Sequence, residues 1–282
     1  MSGLAFEPGW AVAFAALAGL AIGSFLNVVI HRLPRMLENQ WQDDATFARG
    51  ETPAPRERYD LIRPRSHCPS CGSTLRLRDL VPVASWLALG GRCSSCANLI
   101  GGRYPIIELT TAALFALCVL RFGAGSQAAG AMILVAALLA AAAIDFDTQL
   151  LPDAITLPLA WGGLIANLSG LFAALPDAVL GAVAGYLSLW SIHHVFRGLT
   201  GREGMGYGDF KLLAAIGAWL GWQALPAIVL IACAGGIGFV VIAGFIRQRD
   251  ASQPIAFGPW LAIAGLVALF AQPVLDRWIH GA

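Results

Sequence analysis

The chain has 282 residues, 57% of them hydrophobic and only 12% charged, with a mean hydropathy of +0.69 and a net charge of +1. A soluble domain carries roughly a quarter charged residues, so this composition excludes an ordinary water-soluble globule. Repeated apolar runs of bilayer length predict instead an all-α polytopic membrane protein in contact with lipid, with no nucleic-acid partner.

The small net charge hides an asymmetry: eleven of the eighteen basic residues lie between Arg32 and Arg103. Basic residues mark the cytoplasmic side, which places residues 32–103 in the cytoplasm and the N-terminus on the periplasmic face. No Lys or Arg precedes the first apolar run, so the chain does not read as beginning with a secretory signal peptide.

The first predicted span runs from Gly9 to Ile30 and carries Gly23-Ser24-Phe25-Leu26-Asn27, small and amide side chains suited to close helix packing and interhelical hydrogen bonds. Residues 32–103 follow as the one sizeable polar segment. Its first half, Arg35 to Arg65, is rich in charge and proline and is expected to be mostly loop with a short helix at most. The second half contains Cys68-Pro69-Ser70-Cys71 and Cys93-Ser94-Ser95-Cys96. Between them lies the apolar stretch Leu80 to Leu89, suited to the membrane surface or to covering the cysteines.

Seven more spans are expected, over Tyr104–Leu120, Ala128–Ile144, Ala154–Phe172, Val179–Phe196, a short one from Asp209 to Pro226, Ala227–Ile246 and Phe257–Leu275. Eight spans keep every basic cluster inside, with only Arg121 and Arg277 outside; Arg197, Arg202, Arg247 and Arg249 flank inner ends. Trp10, Trp222 and Trp278 at span ends read as interface anchors. The domain reading is helix one over residues 1–31, a cytoplasmic cysteine domain over 32–103, and a transmembrane domain over 104–282.

Two acidic stretches fall on the cytoplasmic side. One closes the third span as Ile144-Asp145-Phe146-Asp147. The other is Gly204-Met205-Gly206-Tyr207-Gly208-Asp209-Phe210-Lys211, whose glycines free the backbone to turn tightly just where an apolar run resumes. An acid at such a place is a functional-site hypothesis by default. Two carboxylates held together cannot both ionise cheaply, which is the aspartic-protease arrangement of one ionised and one protonated acid acting on water and a peptide carbonyl. The structural alternative is that these acids cap helices. It suits Asp153, which follows Pro152, better than Asp145 or Asp209, and Asp147 is ambiguous. Lys211 stands two residues from Asp209 and so cannot face it on a helix.

Ile144-Asp145 with Leu151-Pro152-Asp153 and Gly206-Tyr207-Gly208-Asp209-Phe210-Lys211 resembles the type IV prepilin peptidases, intramembrane aspartyl proteases of the GxGD type. The resemblance extends over nearly the whole chain. It takes in Gly23-Ser24-Phe25-Leu26-Asn27, His31-Arg32-Leu33-Pro34, both CxxC pairs, Arg103-Tyr104-Pro105 with Glu108, and Phe257-Gly258-Pro259. It implies that Asp145 and Asp209 are the catalytic pair, with Gly206, Gly208, Lys211 and Asp153 supporting the active-site turn. The implied substrates are type IV prepilins and pseudopilins, serving pili or type II secretion. Their short basic leader would be cut on the cytoplasmic side of the inner membrane. The resemblance also implies N-methylation of the new N-terminal residue with S-adenosylmethionine, for which the residues themselves offer no recognisable motif.

Cys68, Cys71, Cys93 and Cys96 form CxxC-x21-CxxC, near the spacing of four-cysteine zinc knuckles. One tetrahedral Zn²⁺ could hold together a loop too small and polar to form a core. A reducing cytoplasm makes disulfides the weaker reading, with free thiols the remaining one. His67 reads as a bystander. Cys118 and Cys233 read as small core residues, and His193 and His194 as surface residues. Glu108, one turn into the second span, is expected either to pack against an arginine or to contact substrate or methyl donor. Two rival readings of the whole chain are a cation or proton transporter using Asp145, Asp209 and Glu108 as a relay near the bilayer centre, and a scaffold that docks partners through the cysteine loop.

Overall fold

The computed structural model describes residues 9–202, 204–247 and 256–280, and these are helical almost throughout, with two isolated antiparallel bridges and no β-strand among them. The chain divides into two compact units that meet at Ala124 and Gly125. Arg249 lies outside the described residues, as do the side chains of Arg247, Arg277 and Trp278.

In the first unit, α1 covers Gly9–Ala48 and α3 covers Arg103–Phe122, with the short α2 over Ala84–Ala88 between them. The two long helices pack at backbone contact. A Cβ added to Gly19 would lie 2.6 Å from the Cα of Ala112, and one added to Gly23 would lie 2.7 Å from the Cα of Glu108. Asn27 donates from Nδ2 to the Tyr104 carbonyl at 3.1 Å, so its amide ties the helices together. Helix α1 does not end near Ile30. It continues as one 40-residue helix through Pro34, where a loop was expected. The extension gains tertiary support that composition does not reveal, because Arg56 returns to bond the Asn39 carbonyl and side chain and the Gln42 side chain. Arg32 is buried and donates to the carbonyls of Asp60 and Pro64, fixing the loop against the helix.

The second unit holds α4 (Ser126–Thr148), α5 (Asp153–Ala166), α6 (Leu175–Thr200), α7 (Tyr207–Leu220), α8 (Leu225–Arg247) and α9 (Gly258–His280). Among the described residues, five helical segments are long and apolar enough to cross a bilayer: Gly9–Ala48, Arg103–Phe122, Ser126–Thr148, Leu175–Thr200 and Trp222–Ile242. The segments expected as the fourth and sixth spans form 14-residue helices, α5 and α7, each about 21 Å long against a hydrocarbon core of about 30 Å. Glycines in the left-handed region terminate the runs, Gly170 at φ 65° and Gly221 at φ 82°. Pro226 begins α8 rather than ending the preceding helix.

Short helices leave backbone groups without partners, which is costly away from water. Asn167, only 1% exposed, resolves this at one end of the unit. Its Nδ2 donates to the carbonyls of Ala218 and Trp219, both at 2.9 Å, and its Oδ1 accepts from the N–H groups of Phe172 and Ala173. The Trp219 indole adds a bond to the Leu159 carbonyl at 2.8 Å. Helices α6 and α7 meet through Gly181 and Gly217, where a Cβ on either would strike the other's carbonyl. Cys118 is fully buried as expected, whereas Cys233 faces outward from α8 because its helix turns that side away from the bundle.

Asn167→Leu should lower stability by about 3 kcal/mol or more, since it strands two buried carbonyls and two buried N–H groups at once. A reduced thermal midpoint of the purified protein in micelles is the expected result; an unchanged midpoint would mean those groups have other partners.

Candidate functional site

Asp145 stands in the last turn of α4, and the helix closes directly after it. Gln149 adopts the left-handed conformation at φ 55° and returns its N–H to the Asp145 carbonyl at 2.9 Å. The carboxylate is buried, and its Oδ2 accepts the backbone N–H of Gly258 at 2.9 Å. Gly258 opens α9, so this N–H is one of the donors that a helix start leaves free and its dipole favours an acid there. A Cβ at Gly258 would come within 2.6 Å of Asp145 Oδ2 and 3.1 Å of Leu151.

Asp209 sits in the first turn of α7, behind Gly206 at the N-cap, and is likewise buried. Its Oδ1 has no hydrogen-bond partner. The glycines before it do not adopt left-handed backbone: φ of Gly206 is −77°, and neither Gly204 nor Gly208 takes a positive value. Gly208 is required by space instead, because a Cβ there would lie 2.6 Å from the Cβ of Leu151. Leu151, in the link from α4 to α5, therefore touches both the glycine beside Asp209 and the glycine that binds Asp145. Leu151 thereby ties the surroundings of one carboxylate to those of the other.

The neighbours divide clearly. Asp153 is the first residue of α5, where Pro152 occupies the cap, and it does not cap the helix through its side chain. Both of its oxygens take the Lys211 ammonium, at 2.7 and 2.8 Å, so the lone lysine joins the start of α5 to α7 rather than compensating Asp209. Asp147 is exposed. His193 departs from expectation: it is 2% exposed, both ring nitrogens lack partners, and its ring packs 5.4 Å from that of Tyr207 and 5.5 Å from that of Phe210. The residues flanking Asp209 fold over it and remove it from the surface, while His194 stays exposed against Trp190. Gly258 and Leu151 are the two contributors that sequence reading assigned no task. A glycine followed by proline at a helix start was the available signal for the first.

The cysteine cluster belongs to the first unit. The Sγ atoms of Cys68, Cys71, Cys93 and Cys96 all lie within 4.8 Å of one another, and those of Cys68 and Cys96 are 3.8 Å apart. A tetrahedral ion with metal–sulfur bonds of about 2.3 Å requires sulfurs about 3.8 Å apart, so the residues fit a four-thiolate metal site; a disulfide would need about 2 Å. The two CxxC turns are built alike. Cys68 N–H bonds the Ser73 carbonyl and Cys93 N–H bonds the Asn98 carbonyl, and each turn is closed by a bridge, His67 with Thr74 and Arg92 with Leu99. The residue after each second cysteine is left-handed: Gly72 at φ 69° and Ala97 at φ 57°. Backbone N–H groups of Cys96 and Ser95 draw the Cys93 thiol down to about 6. The His67 imidazole is engaged with the Arg65 carbonyl and stands apart from the four sulfurs.

Glu108 is buried in α3 and meets no arginine. Its Oε2 accepts the Val83 N–H at 2.7 Å.

Two family models match the chain, the bacterial peptidase A24 N-terminal domain over residues 17–122 and the type IV leader peptidase family over residues 132–241. A prepilin leader peptidase/N-methyltransferase of Pseudomonas aeruginosa is 52% identical over 93% of this chain and 90% of its own. The proteins of that name from Dickeya chrysanthemi and Aeromonas salmonicida are 52% and 50% identical, covering 94% and 93% of this chain and 93% and 91% of theirs. No solved structure matches the chain.

The purified protein is expected to carry one metal equivalent per chain, retained at neutral pH and released as acid protonates the thiolates. Cys68→Ser and Cys93→Ser should each strip it, as read by elemental analysis. Ala97→Gly, which relieves a left-handed alanine, should raise the thermal midpoint.

Proposed function

The chain belongs to the type IV leader peptidase family, and on that premise we propose that it removes the short basic leader of type IV prepilins and pseudopilins. The reaction takes place at the cytoplasmic face of the bacterial inner membrane. The observation that carries this reading is the pair of buried carboxylates, Asp145 fixed by the Gly258 N–H and Asp209 with an oxygen free of partners, gathered around Leu151. Their positions, the last turn of α4 and the first turn of α7, favour work at a membrane face over a relay at mid-span.

In the cleavage step one ionised carboxylate takes a proton from water as its oxygen bonds to the scissile carbonyl carbon. The other acid, protonated, donates to the carbonyl oxygen. Collapse of the tetrahedral species breaks the C–N bond, and the departing amine takes a proton. Gly208 lets the turn lie against Leu151, Gly206 forms the N-cap of α7, and the Lys211–Asp153 pair holds α7 to α5.

The relatives' name supports a second activity, methylation of the newly formed N-terminal amine. S-Adenosylmethionine supplies the methyl group: the amine lone pair forms the new N–C bond, the sulfonium C–S bond breaks to leave a thioether, and the amine proton passes to solvent. The four thiolates would hold Zn²⁺ in a closed shell with no open position, so the ion would organise the cytoplasmic segment and take no part in chemistry.

Asp145→Asn and Asp209→Asn should each reduce leader removal by about a thousandfold or more while metal content and melting temperature stay unchanged. The assay is the mobility shift of a prepilin substrate with purified enzyme. Gly258→Ala, whose methyl would press on the Asp145 carboxylate, should lose about 10- to 100-fold. If both asparagine variants still cut, the protease assignment to this pair is wrong.

A further inference from the structure

A cavity of about 500 Å³ opens inside the first unit, between one face of α1, the segment around α2, and α3. Pockets of roughly 300–1,000 Å³ are those that enclose small organic ligands. Its lining includes Ser24, Asn27, His31 and Arg35 from α1, with Trp86 and Glu108 opposite. The α1 residues recur at the three- and four-residue intervals of one helix face, so Ser24 and Arg35 mark points about 16 Å apart along the helix axis.

The chemistry of the lining changes along that length. At the Ser24 end stands the Glu108 carboxylate, 7% exposed, with the Val83 N–H as its hydrogen bond and no cation paired with it among the described residues. Arg32, the nearest guanidinium in sequence on α1, is committed to two backbone carbonyls and is not available to it. A carboxylate accepts at about four lone-pair positions, so one donor leaves capacity facing the cavity. A buried acid without a counter-ion is costly, and a positively charged ligand would relieve that cost. Toward the other end lie His31 and Arg35, suited to a carboxylate. Trp86 lies between, its indole held by a bond from Nε1 to the Ile100 carbonyl at 3.1 Å and by contact with Gly91. A fixed aromatic surface suits a purine ring or a cation.

We propose that this cavity is the methyl-donor site. It would take S-adenosylmethionine with the sulfonium facing Glu108, the adenine against Trp86 and the amino-acid carboxylate toward His31 and Arg35. The assignment rests on the methyltransferase reading above and adds to it a location and a recognition chemistry. A sulfonium nucleoside fits better than a basic leader peptide. It combines cation, aromatic ring and carboxylate within one molecule of the size the cavity encloses, and an extended leader supplies neither the ring nor the anion.

The decisive measurement is equilibrium binding to the full-length, metal-loaded protein in micelles, comparing S-adenosylmethionine with its net-neutral product S-adenosylhomocysteine, which lacks the sulfonium charge. In Glu108→Gln, the charged donor should bind about tenfold or more weakly while the neutral product loses about threefold or less, because the removed charge faces only the sulfonium. A structural defect would weaken both alike, and equal losses, or none, overturn the placement while leaving donor binding by wild type intact. Absence of any donor binding by wild type that still cuts prepilin overturns the methyltransferase reading and this site with it. Competitive displacement of the donor by a basic leader peptide assigns the cavity to the leader instead. Should Glu108→Gln fail to fold, an azido-adenosyl photoaffinity analogue of the donor on wild type decides. Label on peptides spanning residues 24–35 or 80–108 supports the proposal, and label confined beyond residue 124 refutes it.

Discussion

Burying a carboxylate among apolar helices is the constraint from which the second unit takes its form. Such a group persists only where donors or a favourable potential meet it, and helix N-termini supply both without adding a compensating charge. Asp145 uses the first N–H of α9, and Asp209 occupies the first turn of α7. A lysine or arginine at either place would also have solved the burial, but it would have held the acid as a spectator ion pair. The one lysine of the chain is spent on Asp153 instead.

Holding two helix ends against each other sets further demands on the chain. The helices must end inside the unit, which leaves backbone groups to be satisfied, and they must approach closely, which limits side chains at the contacts. Asn167 meets the first demand with four bonds from one side chain. Gly181 with Gly217 and Gly208 with Leu151 meet the second, since any Cβ there would collide. The 14-residue lengths of α5 and α7 are therefore part of the site's construction rather than poorly formed spans.

The all-helical membrane class was legible in composition alone, and the two acids and four cysteines stood out because each breaks the local pattern: a charge beside an apolar run, or paired thiols in a polar one. What could not be read were features that depend on contacts distant in sequence. The glycines around Asp209 look like turn formers, yet Gly208, the one beside it, is there for lack of a side chain against Leu151. His193 looks like an interfacial residue because its neighbour in sequence is one, but Tyr207 and Phe210 reach over it from another helix. The 40-residue length of α1 is decided past Pro34 by Arg56 returning from the loop, which no local propensity encodes.

The first unit solves a different problem with a different device. Between residues 51 and 102 the buried positions are Cys68, Gly91 and Cys93, so the segment has no apolar core with which to order itself. Two similar turns closed by short backbone bridges contribute little order alone, and a metal ion, which their four sulfurs are spaced to hold, would supply the cross-link that a core would otherwise provide. The same segment presents Val83 to Glu108 and carries Trp86, whose ring is fixed by the Ile100 carbonyl just beyond the second turn. Order imposed on the cysteines by a bound ion would thereby pass along the chain to the residues above the buried acid of α3, so an ion with no chemistry of its own would help set the shape of the cavity that Glu108 faces.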